Sequence, residues 1–431
     1  MGMFFDLYEI FLSGALATVL VKHFGLDTQE LPYVLGSTFV GMFIGGLVFG
    51  RAADRIGRRT TILACLGLYS ACSLAAAFSP SATILIVLRF VGGMGLGAEL
   101  PISDAYLADL LPARHRGRGI ARAFTAGFLG VPVAGFLAAW LAPTAPLGID
   151  GWRWLFVIGA AGGASVLFLR RRLPESPRWL EAMGRHTEAD RIVTGMEHEA
   201  GRHADSGVAQ VPAPVPVPVP VAASHTSRAC QLIGRDYRRR TVMMALTQLL
   251  QSVGYYGFGS LVPLILTAKG YPMTTSLLFS AMSFLGYPLG SLLSLPLMER
   301  CERKHLIAGS ALSMAALGTG FGYAHSTVQV IVFGLGYTAV SNIFSNSLHT
   351  YQAEIFPTRL RATAASWTYG LSRLSTAAMP FVLIPILHGA GQGTVFAIIA
   401  VAMAVLCANI LLLGPRTTGR DLRHVGLEPS P

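Results

Sequence analysis

The stretch Gly50-Arg-Ala-Ala-Asp54-Arg-Ile-Gly57-Arg-Arg59 decides how this chain is read, because its charged core is present twice. Asp54-Arg55-x-x-Arg58-Arg59 recurs as Glu299-Arg300-x-x-Arg303-Lys304, at a separation of 245 residues. Two other motifs are also repeated, and chance matches would not keep a common spacing.

The separation of 245 residues holds for both of these motifs. The first is Gly41-x-x-x-Gly45, which recurs as Gly286-x-x-x-Gly290. The second is Tyr106-x-x-Asp109-x-x-Pro112-x-Arg114-x-Arg116, which recurs as Tyr351-x-x-Glu354-x-x-Pro357-x-Arg359-x-Arg361. The chain is therefore a duplication of two parallel halves, an arrangement typical of proteins that rock around a central site.

The composition indicates a membrane protein, with 52% hydrophobic and 13% charged residues. A bilayer core of about 30 Å requires runs of about 20 apolar residues. Twelve such segments occur, called spans below: roughly 2–22, 32–50, 61–79, 83–105, 119–141, 153–171, 241–266, 274–297, 306–324, 327–348, 362–386 and 393–414. They predict an all-α membrane protein of two six-helix bundles, 1–171 and 241–414, with a cytoplasmic central segment at 172–240 and a tail at 415–431.

The net charge of +11 follows from topology rather than from a nucleic-acid partner. Of the 33 Lys and Arg residues, only Lys22, Arg153 and Lys269 fall in loops of one side. Arg89 and Arg373 fall within spans, and the others lie in the alternate loops, at their helix ends or in the tail. Because basic loops stay in the cytoplasm, we expect both termini there, in a cell (inner) membrane protein.

Neither the central segment nor the cysteines predict further chemistry. Residues 211–221 alternate proline with small apolar residues, which predicts an extended spacer between the halves. The five cysteines are scattered without metal-ligand spacing. No metal, cofactor or enzymatic activity is expected, because no nucleophile–base pair or phosphate-binding loop is present. We expect a monomer in the lipid bilayer.

Several motifs resemble known families. Gly50-x-x-x-Asp54-Arg55-x-Gly57-Arg58-Arg59 resembles the loop signature of the major facilitator superfamily. Pro174-Glu-Ser-Pro-Arg-Trp-Leu180 and Arg89-x-x-x-Gly93-x-Gly95-x-Gly97 resemble its sugar-porter branch. Asp6-Leu-Tyr-Glu9 and Glu354-Ile-Phe-Pro-Thr358 look more like its metabolite and aromatic-acid proton symporters. The resemblance implies transport by alternating access.

The resemblance also implies a gating network on the cytoplasmic face. Ion pairs there would latch the halves together while the cavity opens outward. The candidate residues are Asp54, Arg55, Arg58, Asp109, Arg116, Glu175, Arg178, Glu299, Arg300, Arg303, Glu354 and Arg361. A single solvated ion pair contributes little to stability, but the presence of the set in both halves favours a shared role.

Ionisable groups within the spans indicate the transport site, because burying them in lipid is costly. Asp6, Glu9 and Asp104 are the candidates for proton coupling. The candidates for substrate binding are Arg89, Glu99, Gln248, Gln251, Tyr255, Tyr256, Asn342, Asn346 and Arg373. In the superfamily, the first, fourth, seventh and tenth helices line the central cavity, and all of these residues except Arg373 lie on them. Arg89 and Glu99 have a structural alternative, since each can simply neutralise a partner between helices.

The substrate is open at this level. An arginine near mid-membrane suits an anion, because a guanidinium pairs bidentately with a carboxylate. We therefore expect proton-coupled import of a small organic or aromatic acid. The alternatives are a sugar:proton symporter, a proton-driven efflux antiporter, and a membrane sensor that binds ligand without transporting it.

Overall fold

The computed structural model describes residues 2–110, 122–171, 173–203, 234–356 and 358–417. Its regular structure over these residues is helical. The longer helices are Gly2–Ala15, Ala17–Phe24, Leu31–Ile56, Arg58–Ala77, Ala82–Leu110, Gly130–Leu141, Gly151–Arg170, Arg235–Ala268, Met273–Phe284, Gly286–Arg300, Arg303–Gly322, Thr327–Ile355 and Thr358–Leu413. Two further helices, Pro177–Ala182 and His186–His203, lie in the central segment. The all-α prediction is confirmed.

The helices follow the predicted spans. Within the described residues, nine helical stretches are long and apolar enough to cross a membrane, or ten if the bent pair Gly2–Ala15 and Ala17–Phe24 is one span. The last of them is broken at Gly391, whose φ of 79° interrupts the helix between the predicted eleventh and twelfth spans. Arg303–Gly322 covers the predicted ninth span. Together they support the twelve-span prediction.

The predicted boundaries differ from the helices at one place that matters. Each helix takes the number of the predicted span that it fills, and Gly2–Ala15 and Ala17–Phe24 share the number one. The seventh helix begins at Arg235, ahead of the predicted residue 241, because its charged first turns extend it beyond the apolar part. The proline-alternating stretch 211–221 lies outside the described residues.

The duplication predicted from the motifs is visible in the packing. A Cβ at Gly41 or Gly45 would overlap the carbonyl oxygens of Phe90 and Met94, so the second and fourth helices meet backbone to backbone. Gly286 and Gly290 meet Leu335 and Ala339 in the same way, between the eighth and tenth helices. Each residue of the second contact lies 245 positions after its counterpart. Small residues permit this close approach where lipid gives no hydrophobic drive for association.

The two halves also approach each other through small residues. A Cβ built at Gly14 would lie 2.8 Å from Ser260 Cα, and one at Gly36 would lie 2.8 Å from Ala377 O. Gly135 and Ala281 make a similar contact, at 2.9 Å from Cβ to Cα. All three glycines lie toward the ends of their helices that the charge pattern predicts to be extracellular.

The close packing predicts a contrast between two glycines. Gly97→Ala would force a Cβ onto the carbonyl oxygen of Met42, and we expect a loss of about 1–3 kcal/mol in stability. Gly67→Ala is the matched control, because no heavy atom lies within 4 Å of its Cβ position. Thermal unfolding midpoints in detergent should fall for Gly97→Ala and stay level or rise for Gly67→Ala. Equal midpoints would contradict this account of the packing.

Candidate functional site

Glu9 and Arg89 form a closed ion pair inside the first half. Arg89 Nη1 donates to Glu9 Oε2 at 2.8 Å, and Nη2 donates to the Glu9 backbone oxygen at 2.8 Å. Arg89 Nε donates to Thr38 Oγ1, and Ser73 Oγ donates to Glu9 Oε1 at 2.5 Å. Both charged side chains are at least 95% buried. The pair is electrically neutral and hydrogen-bonded on both sides.

Asp6, one helical turn before Glu9, has a different environment. Its carboxyl is fully buried, and neither oxygen has a hydrogen-bond partner among the described residues. It faces the carboxyl of Glu99 from the fourth helix. Glu99 Oε1 accepts from Arg170 Nη1 at 2.8 Å, whereas Glu99 Oε2 lacks a partner within the described chain. Two carboxyls thus lie near one guanidinium, and only Glu99 bonds to it.

Arg373 is, with Arg89, one of two arginines that are buried within the described residues, and its partners are phenols. It is 3% exposed, donates from Nη1 to Tyr256 Oη at 2.7 Å, and donates from Nη2 to Tyr369 Oη. Its Cζ lies over both rings, 5.3 Å and 4.6 Å from their centroids. Arg373 Nε has no partner, and no carboxylate of the described residues pairs with this guanidinium.

Aromatic rings from both halves surround the Tyr256 side of this arginine. Phe11 of the first helix stacks on Tyr256 with centroids 6.1 Å apart and an interplanar angle of 28°. Phe39 contacts the same ring edge-on at 5.2 Å. Tyr255 and Tyr287 complete the group, with Phe11 and Tyr287 centroids 5.3 Å apart. We call Phe11, Phe39, Tyr255, Tyr256 and Tyr287 the aromatic cluster.

The seventh-helix glutamines are engaged with the protein itself. Gln248 Nε2 donates to Gln352 Oε1, and Gln251 Nε2 donates to Gln248 Oε1 and to Ser372 Oγ, each at 2.9 Å. This series of hydrogen bonds connects the seventh helix to the tenth and eleventh helices. Their role as substrate ligands stays a prediction.

The tenth-helix asparagines bind the eighth helix. Asn342 Nδ2 donates to the Tyr287 backbone oxygen at 2.5 Å, and Asn346 Nδ2 donates to Ser294 Oγ at 2.8 Å. Asn342 Oδ1 is buried and has no partner among the described residues. Asn342 therefore retains one free acceptor beside the aromatic cluster.

The predicted gating residues are seen making contacts within each half. Glu175 Oε1 accepts from the backbone N–H groups of Arg58 and Arg59, at 3.0 Å each, and so caps the third helix. Asp54 contributes its backbone oxygen, which accepts from Trp179 Nε1. In the second half Arg303 Nε lies 3.4 Å from Glu354 Oε1.

The other gating candidates divide into two groups. Arg55, Arg178 and Arg300 are exposed. The side chains of Asp109, Arg116, Glu299 and Arg361, and that of the coupling candidate Asp104, lie outside the described residues. A latch between the halves stays a prediction.

Two residues that contact these buried groups, Arg170 and Tyr369, are not among the candidates that the sequence predicts. Arg170 was counted with the basic loop residues, because it ends the sixth span. Tyr369 lies four residues before Arg373 on one helix, so the spacing places both on one face. That spacing was the available signal.

A helical membrane protein of two homologous halves, with paired and unpaired charges buried between its helices, is a secondary transporter by architecture. The family model described as "Sugar (and other) transporter" matches residues 1–427. The chain therefore belongs to this family of the major facilitator superfamily. It is a multi-pass membrane transporter and not an enzyme.

Named relatives agree with this placement. The chain is 31% identical to the putative metabolite transport protein YyaJ of Bacillus subtilis, over 97% of this chain and 91% of that protein. It is 30% identical to the niacin transporter NiaP of Acinetobacter baylyi, over 99% and 94%. A gallate transporter of Pseudomonas putida is 28% identical, over 86% and 80%.

A solved structure shows the same fold. The xylose transporter XylE of E. coli, in a partially occluded inward-open conformation, superposes with a TM-score of 0.78. The alignment covers 97% of both chains at 20% sequence identity.

The closed ion pair predicts a rescue experiment. Arg89→Met would leave the Glu9 carboxylate buried and unpaired, and we expect a loss of about 3–5 kcal/mol in stability. Adding Glu9→Gln removes the orphaned charge and should restore most of the thermal unfolding midpoint.

The exposed pair of Arg185 and Glu188 supplies the control, since both side chains are at least 45% exposed. Arg185→Met should leave the midpoint unchanged. A double variant no more stable than Arg89→Met would show that the charge of Glu9 is not what the arginine balances.

Proposed function

We propose that the protein imports a small aromatic carboxylate together with a proton, by alternating access. One observation carries the substrate class: Arg373 is a buried cation between two phenols, without a carboxylate partner in the described chain. Burying a charge is costly unless it is paired, so a carboxylate on the substrate would supply the negative counter-charge that Arg373 lacks.

The geometry of the guanidinium supports a carboxylate ligand. Arginine has five N–H donors in a planar fork, and the two tyrosines take one each from Nη1 and Nη2. The remaining donors, Nε among them, are sufficient for a bidentate carboxylate. A neutral sugar would leave the positive charge unbalanced.

The aromatic cluster supports a planar ring behind that carboxylate. Phe11 and Tyr256 face each other at 6.1 Å, and a ring between them would need roughly 7 Å, two contacts of about 3.5 Å. A small separation of the halves would open that space. Niacin and gallate, which name two relatives, are themselves aromatic carboxylates.

Asp6 is the better of the two proton-coupling candidates on the first helix. Glu9 is already neutralised by Arg89 and accepts hydrogen bonds at both oxygens. Asp6 has no donor in the described chain, so a proton satisfies it. Protonation removes a buried charge and lets the loaded protein reorient, and the inward proton gradient then drives accumulation.

The carboxylate assignment predicts a substrate-dependent loss at Arg373. For Arg373→Gln, KM for nicotinate should rise by at least about 30-fold, the equivalent of 2 kcal/mol or more for a lost buried charge pair. The KM of Arg373→Lys for nicotinate should lie between those of the wild type and Arg373→Gln, because lysine keeps the positive charge but lacks the planar fork of donors. The measurement is initial uptake into proteoliposomes.

Neutral nicotinamide is the matched ligand control, since it has the same ring without the charge. Its weak uptake should not worsen in Arg373→Gln. A KM for nicotinate, benzoate and gallate that stays within two-fold of the wild-type value would refute the role of Arg373.

The coupling assignment predicts transport without protons in Asp6→Asn. The variant should keep downhill uptake and substrate exchange but lose accumulation against a gradient, because its neutral amide mimics the protonated acid permanently. Exposed Asp190 supplies the matched control, Asp190→Asn. Accumulation by Asp6→Asn that still responds to a pH gradient would refute the assignment.

A further inference from the structure

The charges around Asp6 do not balance among the described side chains. Asp6 and Glu99 each carry one negative charge when ionised, and Arg170 carries one positive charge. The titratable side chains of the third helix facing them are Cys65 and Tyr69, which are neutral in their ordinary forms. One proton shared by the two carboxyls brings the side chains of Asp6, Glu99 and Arg170 together to neutrality, and it also supplies the donor that Asp6 lacks.

A cavity of about 170 Å³ lies next to this group, inside the first half. It is lined by residues of the first, third, fourth, fifth and sixth helices, among them Gly2, Ser103, Ala123 and Arg170. A Cβ at Gly2 would overlap Arg170 Nη2 and lie 3.1 Å from Glu99 Oε1. The cavity wall therefore touches the Glu99–Arg170 ion pair.

Away from this ion pair, the cavity extends to the end of the bundle where the basic loops lie, which the charge pattern predicts to be cytoplasmic. Arg59 and Leu173 line it there, beside Tyr106, whose hydroxyl donates to the Pro174 oxygen at 2.6 Å. Burial, together with the charge of Glu175, raises the pKa of Tyr106 to about 12, so this phenol keeps its own proton. A volume of this size admits several water molecules.

We propose that the coupled proton is held between Asp6 and Glu99 and leaves through this cavity. In the step, the O–H bond of the shared proton breaks and water in the cavity accepts the proton. Asp6 and Glu99 remain as carboxylates beside Arg170. This assigns Glu99 to the proton, not to the substrate.

The route is separate from the substrate path. Its lining residues belong to the first half and, at Leu173, to the start of the central segment, whereas Arg373 and most of the aromatic cluster lie in the second half and at the junction. Proton and substrate would therefore leave through different openings. The inference rests on the proposed proton coupling, but it does not depend on which substrate binds.

Two variants separate the two parts of the route. Glu99→Gln leaves Asp6 and Arg170 as a balanced pair, so the group needs no proton. Downhill uptake should persist at a rate within about three-fold of wild type, without substrate-driven proton entry. Ala123→Trp fills the cavity and should block proton release. It should retain substrate exchange, which needs no release, but lose net uptake and proton entry by ten-fold or more.

The readouts are exchange, net uptake and lumenal pH in the same proteoliposomes, with nicotinate as the probe. Ala71→Trp is the matched control, because Ala71 is exposed on the third helix; it should behave like wild type. If Ala123→Trp still admits protons and nicotinate in the same ratio as the wild type, the proposed route is wrong. Loss of exchange together with net uptake in Glu99→Gln, at a normal unfolding midpoint, would also overturn it.

The wild-type protein distinguishes this failure from failure of the proposed function. Nicotinate uptake without proton entry would refute the coupling itself, and the route with it. If a sugar drives proton entry where no carboxylate does, the substrate assignment is wrong, and the same variants then test the route with that sugar. If Ala123→Trp does not fold, Glu99→Gln still decides.

Discussion

The free-energy cost of burying charge in a low-dielectric interior determines how the ionisable side chains of this protein are arranged. Each buried cation needs a counter-charge, and each buried carboxylate needs a donor. Arg89 meets the requirement with Glu9, and Arg170 meets it with Glu99. Two groups are left unmatched by the described chain: the cation of Arg373 and the carboxyl of Asp6. The first lacks an anion and the second lacks a proton, and these are the two solutes that the proposed acid:proton symport would move.

The duplication explains the helix packing around these buried charges. The two halves repeat the same glycine contacts and the same charged loop motifs at one offset, yet they do not repeat the charges buried between the helices. The first half holds two carboxyls with two arginines, together with Asp6. The second half holds Arg373 among tyrosines and a chain of glutamines. Close backbone packing holds the helices of each half together, which suits the proposed rocking of one half against the other.

Sequence patterns predicted the fold well, because bilayer thickness fixes helix length and the duplicated motifs fix the pairing of helices. The repeat of Gly41 at Gly286 is visible in the sequence, and the structure shows the same backbone contact at both. The buried acids and arginines were also found, since an ionisable residue in an apolar run is conspicuous. Their partners were not, because pairing depends on helix rotation. Nothing in the spacing joins Glu9 to Arg89, or Glu99 to Arg170 at the far end of the sixth helix.

The glutamines show the same limit. Gln248 and Gln251 are substrate-binding candidates in the sequence, and their hydrogen bonds to Gln352 and Ser372 depend on residues about a hundred positions away. Tyr369 is the opposite case, because its spacing from Arg373 was readable from the sequence alone.

The most direct test of the account is lumenal pH in proteoliposomes of the unaltered protein, offered nicotinate, benzoate, gallate, xylose and glucose in turn. Empty liposomes correct for acids that cross the lipid unaided. The account predicts protein-dependent acidification with the aromatic carboxylates and none with the sugars, at about one proton for each anion. Acidification by xylose or glucose, with none by the carboxylates, would contradict it.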